Sequence, residues 1–323
     1  MDSNIDVSII VPAKNTEAYV GECLQSLANI DSSGFTYEVV MVDDASTDGT
    51  NAVMSDYCAR YPNFILLEGP GVSVAAARNL GLEHSRGRYI GWVDSDDYVE
   101  PSMYKKLLAE AEKSGADVVM CDYGFYPSKV AGKDKWFREI NGKVTGPHEV
   151  ERNTQLWNKL FRSEFLSRTS FAHLMETCSE GACALLLILA GKVTTLKEIL
   201  YWYRVGHVSS SSSYSNVEKY VGNVELTRSQ QIAAKQIGLD EKWNSYFEYR
   251  VIYSLLQVAL IAARNGEKAA YEQAVAQLRD MRYDENDCLS TILIENHGKA
   301  RAFALSRLVP FSWLLARFLG SMF

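Results

Sequence analysis

Two hydrophobic patterns alternate over residues 1–126 of the chain. Short, continuous apolar runs are typical of strands that are buried on both faces of a sheet. Between the first two runs, Val20, Cys23, Leu24 and Leu27 recur at the spacing of one face of a helix. The strand-like runs are VSIIVPA, YEVVMVDDAS, NFILLE, YIGWV and ADVVMCDYGFY.

This alternation predicts an α/β fold with a mostly parallel sheet and helices on both faces. The alternation stops at about residue 127, where QLWNKLFRSEFL predicts a helix or a short strand pair and GACALLLILAG a buried helix. Beyond residue 216 the pattern is helical. We therefore expect one domain over 1–215, in two halves (1–126 and 127–215), followed by a helical region over 216–323.

Composition narrows the class of protein. The net charge of −7 argues against a nucleic-acid binder, which would need a basic face. The six cysteines show no C-x-x-C spacing, so we expect free thiols in a reducing compartment. The start of the sequence has two acids before a short apolar run, which resembles neither a signal peptide nor a membrane span.

Polar residues gather where three predicted strands end. VSIIV runs into PAKN, VVMV into Asp43 and Asp44, and YIGWV into Asp94-Ser95-Asp96-Asp97. The carboxyl ends of such strands form the usual ligand edge of an open α/β sheet. Crowded carboxylates repel one another, so they need a cation, a phosphate ligand with its cation, or abundant water. A metal–phosphate site, a phospho-acceptor site of the response-regulator kind and a solvated loop remain open. A receiver domain of about 120 residues would leave much of the chain unexplained.

The motifs together resemble those of one family. VSIIVPAKN, EVVMVDDASTDGT, GVSVAAARNLGLEHSRGRYIGWVDSDDYVEP and WNKLFRSEFL…ILYWYR are similar to inverting family 2 glycosyltransferases with the GT-A fold. The resemblance is dense over 5–126 and looser to about 215. It implies metal-dependent transfer of a sugar, with inversion, from a nucleotide-diphosphate sugar that is usually a UDP-sugar. The acceptor would be a glycan or a lipid-linked sugar in surface-polysaccharide synthesis.

The resemblance also assigns roles in the acidic segment. Asp96 of the D-x-D motif matches the metal-binding aspartate, and the cofactor would be Mn²⁺ or Mg²⁺. Asp94 matches the residue that faces the ribose and the metal waters, and Ser95 belongs to the same donor site. Asp97 either joins them or caps the helix that opens near Pro101.

The nucleobase side is implied in the same way. Asp44 matches the carboxylate that accepts from a uracil N–H, although Asp43 remains an alternative. Pro12, Ala13 and Asn15 would border the base. In the simpler interpretation the aspartates form a polar turn, in which Ser46 or Thr47 caps the next helix.

Cations are expected near the donor phosphates. Arg78 would face the nucleotide, and its alternative is a surface salt bridge. Arg204 would contact phosphate and His207 would be a further metal ligand, whereas a solvent-facing histidine is the simpler interpretation. The serine-rich segment after His207 would suit a closing lid.

Inversion needs a general base, and here the chain departs from the family pattern. Glu180 stands at the first position of the family's Glu-Asp pair, but Gly181 replaces the aspartate. Glu180 is the first candidate for the base and Glu176 the second. The alternative is a catalytically impaired relative that still binds nucleotide sugars.

The segment 299–323 carries Lys299, Arg301, Arg307 and Arg317 among aromatic and aliphatic residues, with no acid. It suits a helix that lies at a membrane surface or docks on a partner, and burial within the helical region is the alternative. We expect the protein in the cytoplasm, with a possible peripheral position on the inner face of the membrane.

Overall fold

A computed structural model describes residues 5–127, 130–131, 139–151, 153–206, 217–281 and 286–322. The chain divides after Gly206 into two compact units, Met1–Gly206 and His207–Phe323. The predicted boundary between residues 215 and 216 lies outside the described residues.

Ten strands within the described residues of the first unit form one mixed sheet. The strands are β1 (Val7–Ala13), β2 (Tyr37–Asp43), β3 (Phe64–Glu68), β4 (Tyr89–Trp92), β5 (Tyr98–Val99), β6 (Val118–Tyr126), β7 (Val130–Ala131), β8 (Asn141–Gly142), β9 (Lys159–Arg162) and β10 (Val193–Arg204). Their order is β3-β2-β1-β4-β9-β6-β10-β5, with β7 beside β6 and β8 beside β10. Strands β3, β2, β1 and β4 run parallel to one another, as do β6 and β10.

The helices of this unit cover both faces of the sheet, which confirms the predicted fold class. Along β1, Ile9 and Val11 belong to the core beneath the first and fourth helices, whereas Ile10 faces the third helix at Gly81. Successive residues of a strand point to opposite faces of the sheet. A strand that is covered by helices on both faces therefore needs a continuous apolar run. The helices are α1 (Glu17–Ala28), α2 (Thr50–Arg60), α3 (Val74–Glu83), α4 (Met103–Ser114), α5 (Pro147–Glu151), α6 (Ser163–Arg168), α7 (Phe171–Cys178) and α8 (Ala182–Leu189).

Strand β9 is antiparallel to both of its neighbours and lies between β4 and β6. Its first residue, Lys159, pairs with Met120, and Leu160 pairs with Gly91. The sequence QLWNKLFRSEFL therefore contains one strand followed by α6, rather than a helix alone or a strand pair. Because β9 is reversed, its amino end reaches the edge at which β4 ends.

The second unit is helical, as predicted. Helix α10 packs against α9, α11, α12 and α14 and supplies a long buried face. No helix among the described residues is both long and apolar enough to cross a bilayer. The helices are α9 (Val217–Gln236), α10 (Glu241–Asn265), α11 (Lys268–Asp280), α12 (Asp287–His297), α13 (Lys299–Phe303) and α14 (Trp313–Met322), with a π-helical turn at Ala304–Leu308.

Candidate active site

The loops after β1 and β2 are tied to each other at the carboxyl edge of the sheet. The Asn15 side-chain oxygen accepts from the Thr47 amide over 2.8 Å, and the Asn15 amide donates to Ser46 Oγ over 3.0 Å. Asn15 and Ala45 adopt left-handed backbone angles, with φ of 54° and 58°. Such strain in non-glycine residues is concentrated at functional sites.

These contacts correct one expectation. Ser46 and Thr47 do not cap the next helix, because α2 begins at Thr50 after Gly49 and its start carries no side-chain cap. The two hydroxyl residues hold Asn15 instead. Pro12 and Ala13, at the end of β1, are buried beside this loop.

Asp43 and Asp44 are both buried but have different partners. Asp43 uses both of its oxygens locally, since it accepts from the Ser46 amide over 3.2 Å and from Asn51 Nδ2 over 2.8 Å. Asp44 Oδ1 accepts from the Gly71 amide over 2.7 Å, and its Oδ2 lies 3.8 Å from Lys14 Nζ. Asp44 thus fastens the loop after β3 to the end of β2. Both carboxylates have partners on both oxygens, so the preference for Asp44 over Asp43 stays a prediction.

Arg78 of α3 is joined to the acidic segment after β4. Its Nη2 donates to Asp94 Oδ1 over 2.9 Å, and the side chains of Arg78 and Asp94 are 2% and 25% exposed. The alternative for Arg78 was a surface salt bridge. The ion pair is instead buried on the arginine side and lies within the predicted donor site.

Asp97 is a buried anchor and does not cap a helix. It is 1% exposed, and its two oxygens accept from the Tyr201 hydroxyl over 2.6 Å and from the Arg204 amide over 2.7 Å. Helix α4 begins at Met103 after Ser102, so the capping alternative for Asp97 is wrong. Burial, followed by the charges of Asp94 and Asp96, raises the pKa of Asp97 well above its usual range.

Arg204, the last residue of β10, contacts the acidic segment Asp94–Asp97. Its Nε donates to the Asp96 carbonyl oxygen over 2.6 Å, and its guanidinium also forms an ion pair with Glu22 of α1. The guanidinium carbon lies 4.6 Å from the ring centre of Tyr126 and 5.1 Å from that of Tyr19. These contacts hold a cation beside the acidic segment. Ser95, in the middle of that segment, is 5% exposed.

The candidate bases lie near α3. Glu176 is an exposed residue of α7, and Glu180 belongs to a 3₁₀ turn, Ser179–Gly181, that packs against α3. Ser179, directly before Glu180, has a φ of 47°. His207 and the serine-rich segment lie outside the described residues.

The acidic segment suits a hard divalent cation in the chemistry of its donors, because it offers several carboxylate oxygens close together at the ligand edge of the sheet. Among the described residues, no three His, Cys, Asp or Glu side chains are arranged to hold a metal by themselves. Mg²⁺ is usually held by one or two carboxylates, with substrate phosphates and water completing its shell. The segment therefore fits a cation that binds together with a diphosphate better than a self-contained metal site.

The comparison with protein families decides between the possible classes. Residues 8–175 match the model of "Glycosyl transferase family 2", which covers more than half of the chain. The chain belongs to glycosyl transferase family 2. The predicted family is thereby confirmed, and the matched residues include the three strand ends at which the polar residues gather.

Curated relatives agree with this family. The chain is 32% identical over 175 residues to an uncharacterized glycosyltransferase, EpsJ, of Bacillus subtilis, a match that covers 51% of this chain and 50% of EpsJ. It is also 32% identical over 230 residues to the poly(ribitol-phosphate) beta-glucosyltransferase of Bacillus spizizenii, covering 68% and 36% of the two chains. The chain thus spans half or less of the length of these two family members.

A solved structure supports the fold. The crystal structure of S. aureus TarS 1-349 in complex with UDP-GlcNAc is similar, with a TM-score of 0.66 at 20% identity. The similarity covers 96% of this chain and 92% of TarS 1-349. Because it extends over the helical region as well, it confirms both the predicted GT-A sheet and the helices that follow it.

Sequence reasoning missed four residues that hold this family 2 site together: Lys14, Glu22, Gly71 and Tyr201. Each acts through a partner distant in sequence, as in the bond between Tyr201 and Asp97. For Gly71 the sequence carries a weak signal of a tight turn, because a glycine stands two residues before the serine that caps α3. Lys14, Glu22 and Tyr201 stand in no sequence pattern that indicates their contacts.

Proposed function

We propose that this family 2 member transfers a sugar, with inversion, from a nucleotide-diphosphate sugar to a glycan or lipid-linked acceptor, and that it requires a divalent cation. One observation carries the proposal. Two arginines, Arg78 and Arg204, are held against the acidic segment Asp94–Asp97 at the ligand edge of the sheet. Alternating charge of this kind suits a cation and a diphosphate bound side by side.

The donor phosphates would lie over this segment. Asp96 is the candidate metal ligand, and Asp94 would be kept in place by Arg78. A bound Mn²⁺ or Mg²⁺ would supply Lewis-acid stabilisation of the leaving diphosphate. Arg204 Nε donates to the Asp96 carbonyl oxygen, and this contact supports a role in which the guanidinium would meet the negative charge that develops as the bond to the sugar breaks.

The nucleoside would lie over the strands of residues 1–126. Asp44 is the candidate acceptor of a base N–H, with Asp43, Pro12, Ala13 and Asn15 around it. UDP is the proposed carrier because a carboxylate acceptor suits the uracil N–H. TarS, a structural neighbour, was solved with UDP-GlcNAc.

Residues 127–215 would supply the acceptor side and the base. Glu180 is the first candidate, because the strained Ser179 precedes it and its turn packs against the helix of Arg78. The aspartate of the family pair is replaced by Gly181, so Glu180 would have to act without that partner. Glu176 is the second candidate.

The acceptor class is drawn from the same relatives. Poly(ribitol-phosphate) appears in the names of the Bacillus spizizenii relative and of TarS of Staphylococcus aureus, and teichoic acid biosynthesis appears in the name of GgaB of Bacillus subtilis. A cytoplasmic position at the inner membrane face would bring the enzyme to a lipid-linked form of such a polymer.

Donor binding tests the proposal directly. A panel of UDP-sugars, with and without Mn²⁺, is screened for a rise in melting temperature. At a concentration 100 times Kd, a bound donor stabilises by about 2.7 kcal/mol. Asp96→Ala is expected to abolish the Mn²⁺-dependent rise, whereas Asp56→Ala, an exposed change on α2, retains it.

Two results would count against the proposal. A full Mn²⁺-dependent rise in Asp96→Ala would remove the metal assignment. Donor binding by the unchanged protein without hydrolysis or transfer would favour the impaired relative over the enzyme.

A further inference from the structure

The segment of α13, the π-helical turn and α14 differs in charge from the rest of the chain. The whole protein carries a net charge of −7, yet residues 299–323 contain four basic residues and no acid. Lys299, Arg301, Arg307 and Arg317 are all exposed. A concentrated positive charge on an acidic protein indicates a negatively charged partner.

This segment is fastened to the helical unit through buried side chains, a ring contact and a hydrogen bond to its backbone. Val309 and Ala316 are fully buried, and the Tyr271 hydroxyl donates to the Val309 carbonyl oxygen over 2.8 Å. Trp313 packs edge-on against Tyr271, with ring centres 5.1 Å apart, and α14 packs on α10. Burial within the unit, the alternative raised from the sequence, is therefore correct for one side of the segment.

Several large apolar side chains of the same segment are nevertheless exposed. Phe311 is 77% exposed and Leu314 is 75% exposed, against 4% for Leu305 and 0% for Ala316. Packing within the unit therefore leaves apolar surface of the segment uncovered, and such surface commonly marks an interaction site. We call the outward residues the tail face; its apolar members are Phe303, Phe311, Leu314 and Leu315, and its basic members are Arg301, Arg307 and Arg317.

We propose that the tail face docks on the surface of an anionic lipid bilayer. Exposed aromatic and leucine side chains would enter the acyl boundary while the arginines contact lipid phosphates. No helix among the described residues could span a bilayer, so this attachment is peripheral. Pairing of two tail faces from separate copies would bring like charges together, because residues 299–323 contribute basic residues and no acid, so charge favours lipid over self-association.

This inference stands apart from the proposed transfer reaction, because it involves only the second unit. If both hold, the attachment would keep the enzyme where a lipid-linked acceptor resides. Failure of donor binding would leave the tail face untouched, and failure of lipid binding would leave the donor site untouched.

Vesicle co-sedimentation of the full chain tests it. Vesicles of phosphatidylcholine alone are compared with vesicles of equal parts phosphatidylglycerol and phosphatidylcholine. We expect binding to the mixed vesicles, weakening as salt is raised, and little binding to phosphatidylcholine. Each arginine near an anionic surface strengthens binding by about five-fold, so R307Q/R317Q is expected to weaken it about 25-fold.

Apolar insertion is tested by F311S/L314S/L315S, which is expected to lose more than about ten-fold in binding. The matched controls lie on the same unit: I232S/I237S removes exposed apolar side chains, and R264Q/R279Q removes exposed charges. Both controls should bind as the unchanged protein does.

Three results would overturn the proposal: equal binding to both kinds of vesicle, undiminished binding by R307Q/R317Q, or a dimer without lipid that F311S/L314S/L315S dissociates. The last would assign the tail face to a second copy. R307Q/R317Q substitutes only exposed positions, so it decides the question even if the triple variant fails to fold.

Discussion

Nη2 of Arg78 lies 2.9 Å from Oδ1 of Asp94 and joins α3 to the segment after β4. The arginine is 2% exposed, so water contributes little to its solvation. Its charge must be balanced within the protein, and Asp94 contributes to that balance through this ion pair. A residue predicted to face a ligand is therefore also a structural residue.

Arg78→Met is expected to lower the free energy of unfolding by about 2 kcal/mol, because it removes the charged hydrogen bond between a buried guanidinium and the 25% exposed Asp94. Lys268→Met, which breaks the exposed pair with Glu272, should cost no more than about 0.5 kcal/mol. Urea unfolding of the three proteins measures both values. Equal costs for the two variants would show that the Arg78 pair is no stronger than a surface pair.

Tyr201→Phe removes the hydroxyl that donates to Asp97 over 2.6 Å. Asp97 is 1% exposed, so water cannot readily replace the lost donor. The expected loss is about 2 kcal/mol of unfolding free energy. Tyr37→Phe is the control, since its hydroxyl donates to the Leu27 carbonyl in a half-buried position, and it should lose about 1 kcal/mol. The prediction fails if Tyr201→Phe costs less than this control.

Gly71→Ala separates backbone strain from a local clash. Gly71 has a φ of +70°, and an added Cβ would lie 3.0 Å from the Ala45 Cβ. Gly238 has a φ of +72° with open space around it. Gly238→Ala should therefore lower the free energy of unfolding by about 1 kcal/mol, through backbone strain without a clash. We expect Gly71→Ala to lower the free energy of unfolding by more than Gly238→Ala does. It should also weaken UDP binding, because the amide of residue 71 donates to Asp44 Oδ1. Isothermal titration with UDP and Mn²⁺ checks this. Equal UDP affinity in the two variants would contradict the role given to the Asp44 loop.

The pH dependence of stability is expected to reflect Lys159. This side chain is fully buried, and desolvation lowers its pKa from 10.5. Between the folded and unfolded pKa values the unfolded chain binds more protons, so stability rises with pH in that window. Below the folded pKa the unfavourable contribution is complete and constant.

Lys159→Met isolates this effect. The unfolding free energy of the unchanged protein, minus that of the variant, should increase as pH rises towards 10.5. Urea unfolding of both proteins at a series of alkaline pH values provides the difference. A difference that stays flat or falls would mean that the hydrogen bonds from Lys159 Nζ to Gln155 and Asn158 outweigh its desolvation.

Local pattern was sufficient for the strands and for the acidic edge of the sheet. The runs at β1, β2 and β4 were continuous because both faces of these strands are covered, and Asp44 and Asp94 follow directly from where the strands end. The partners of these acids could not be predicted, since Tyr201 lies 104 residues from Asp97 and no local signal links them. Likewise, apolar spacing in the tail does not reveal that Ala316 faces inward and Leu314 outward.

The identity of the base is the prediction on which turnover depends. Glu180→Gln removes the ability to accept a proton but keeps the size of the side chain. If Glu180 is the base, transfer should fall by about 10²- to 10⁴-fold while UDP-sugar binding stays the same. Glu176→Gln, an exposed change on the preceding helix, is the matched control and should retain full turnover.

Rates are measured by release of UDP with the donor that binds best. Loss of turnover in Glu176→Gln alone would transfer the role to that residue, and full turnover in both variants would show that neither glutamate is the base.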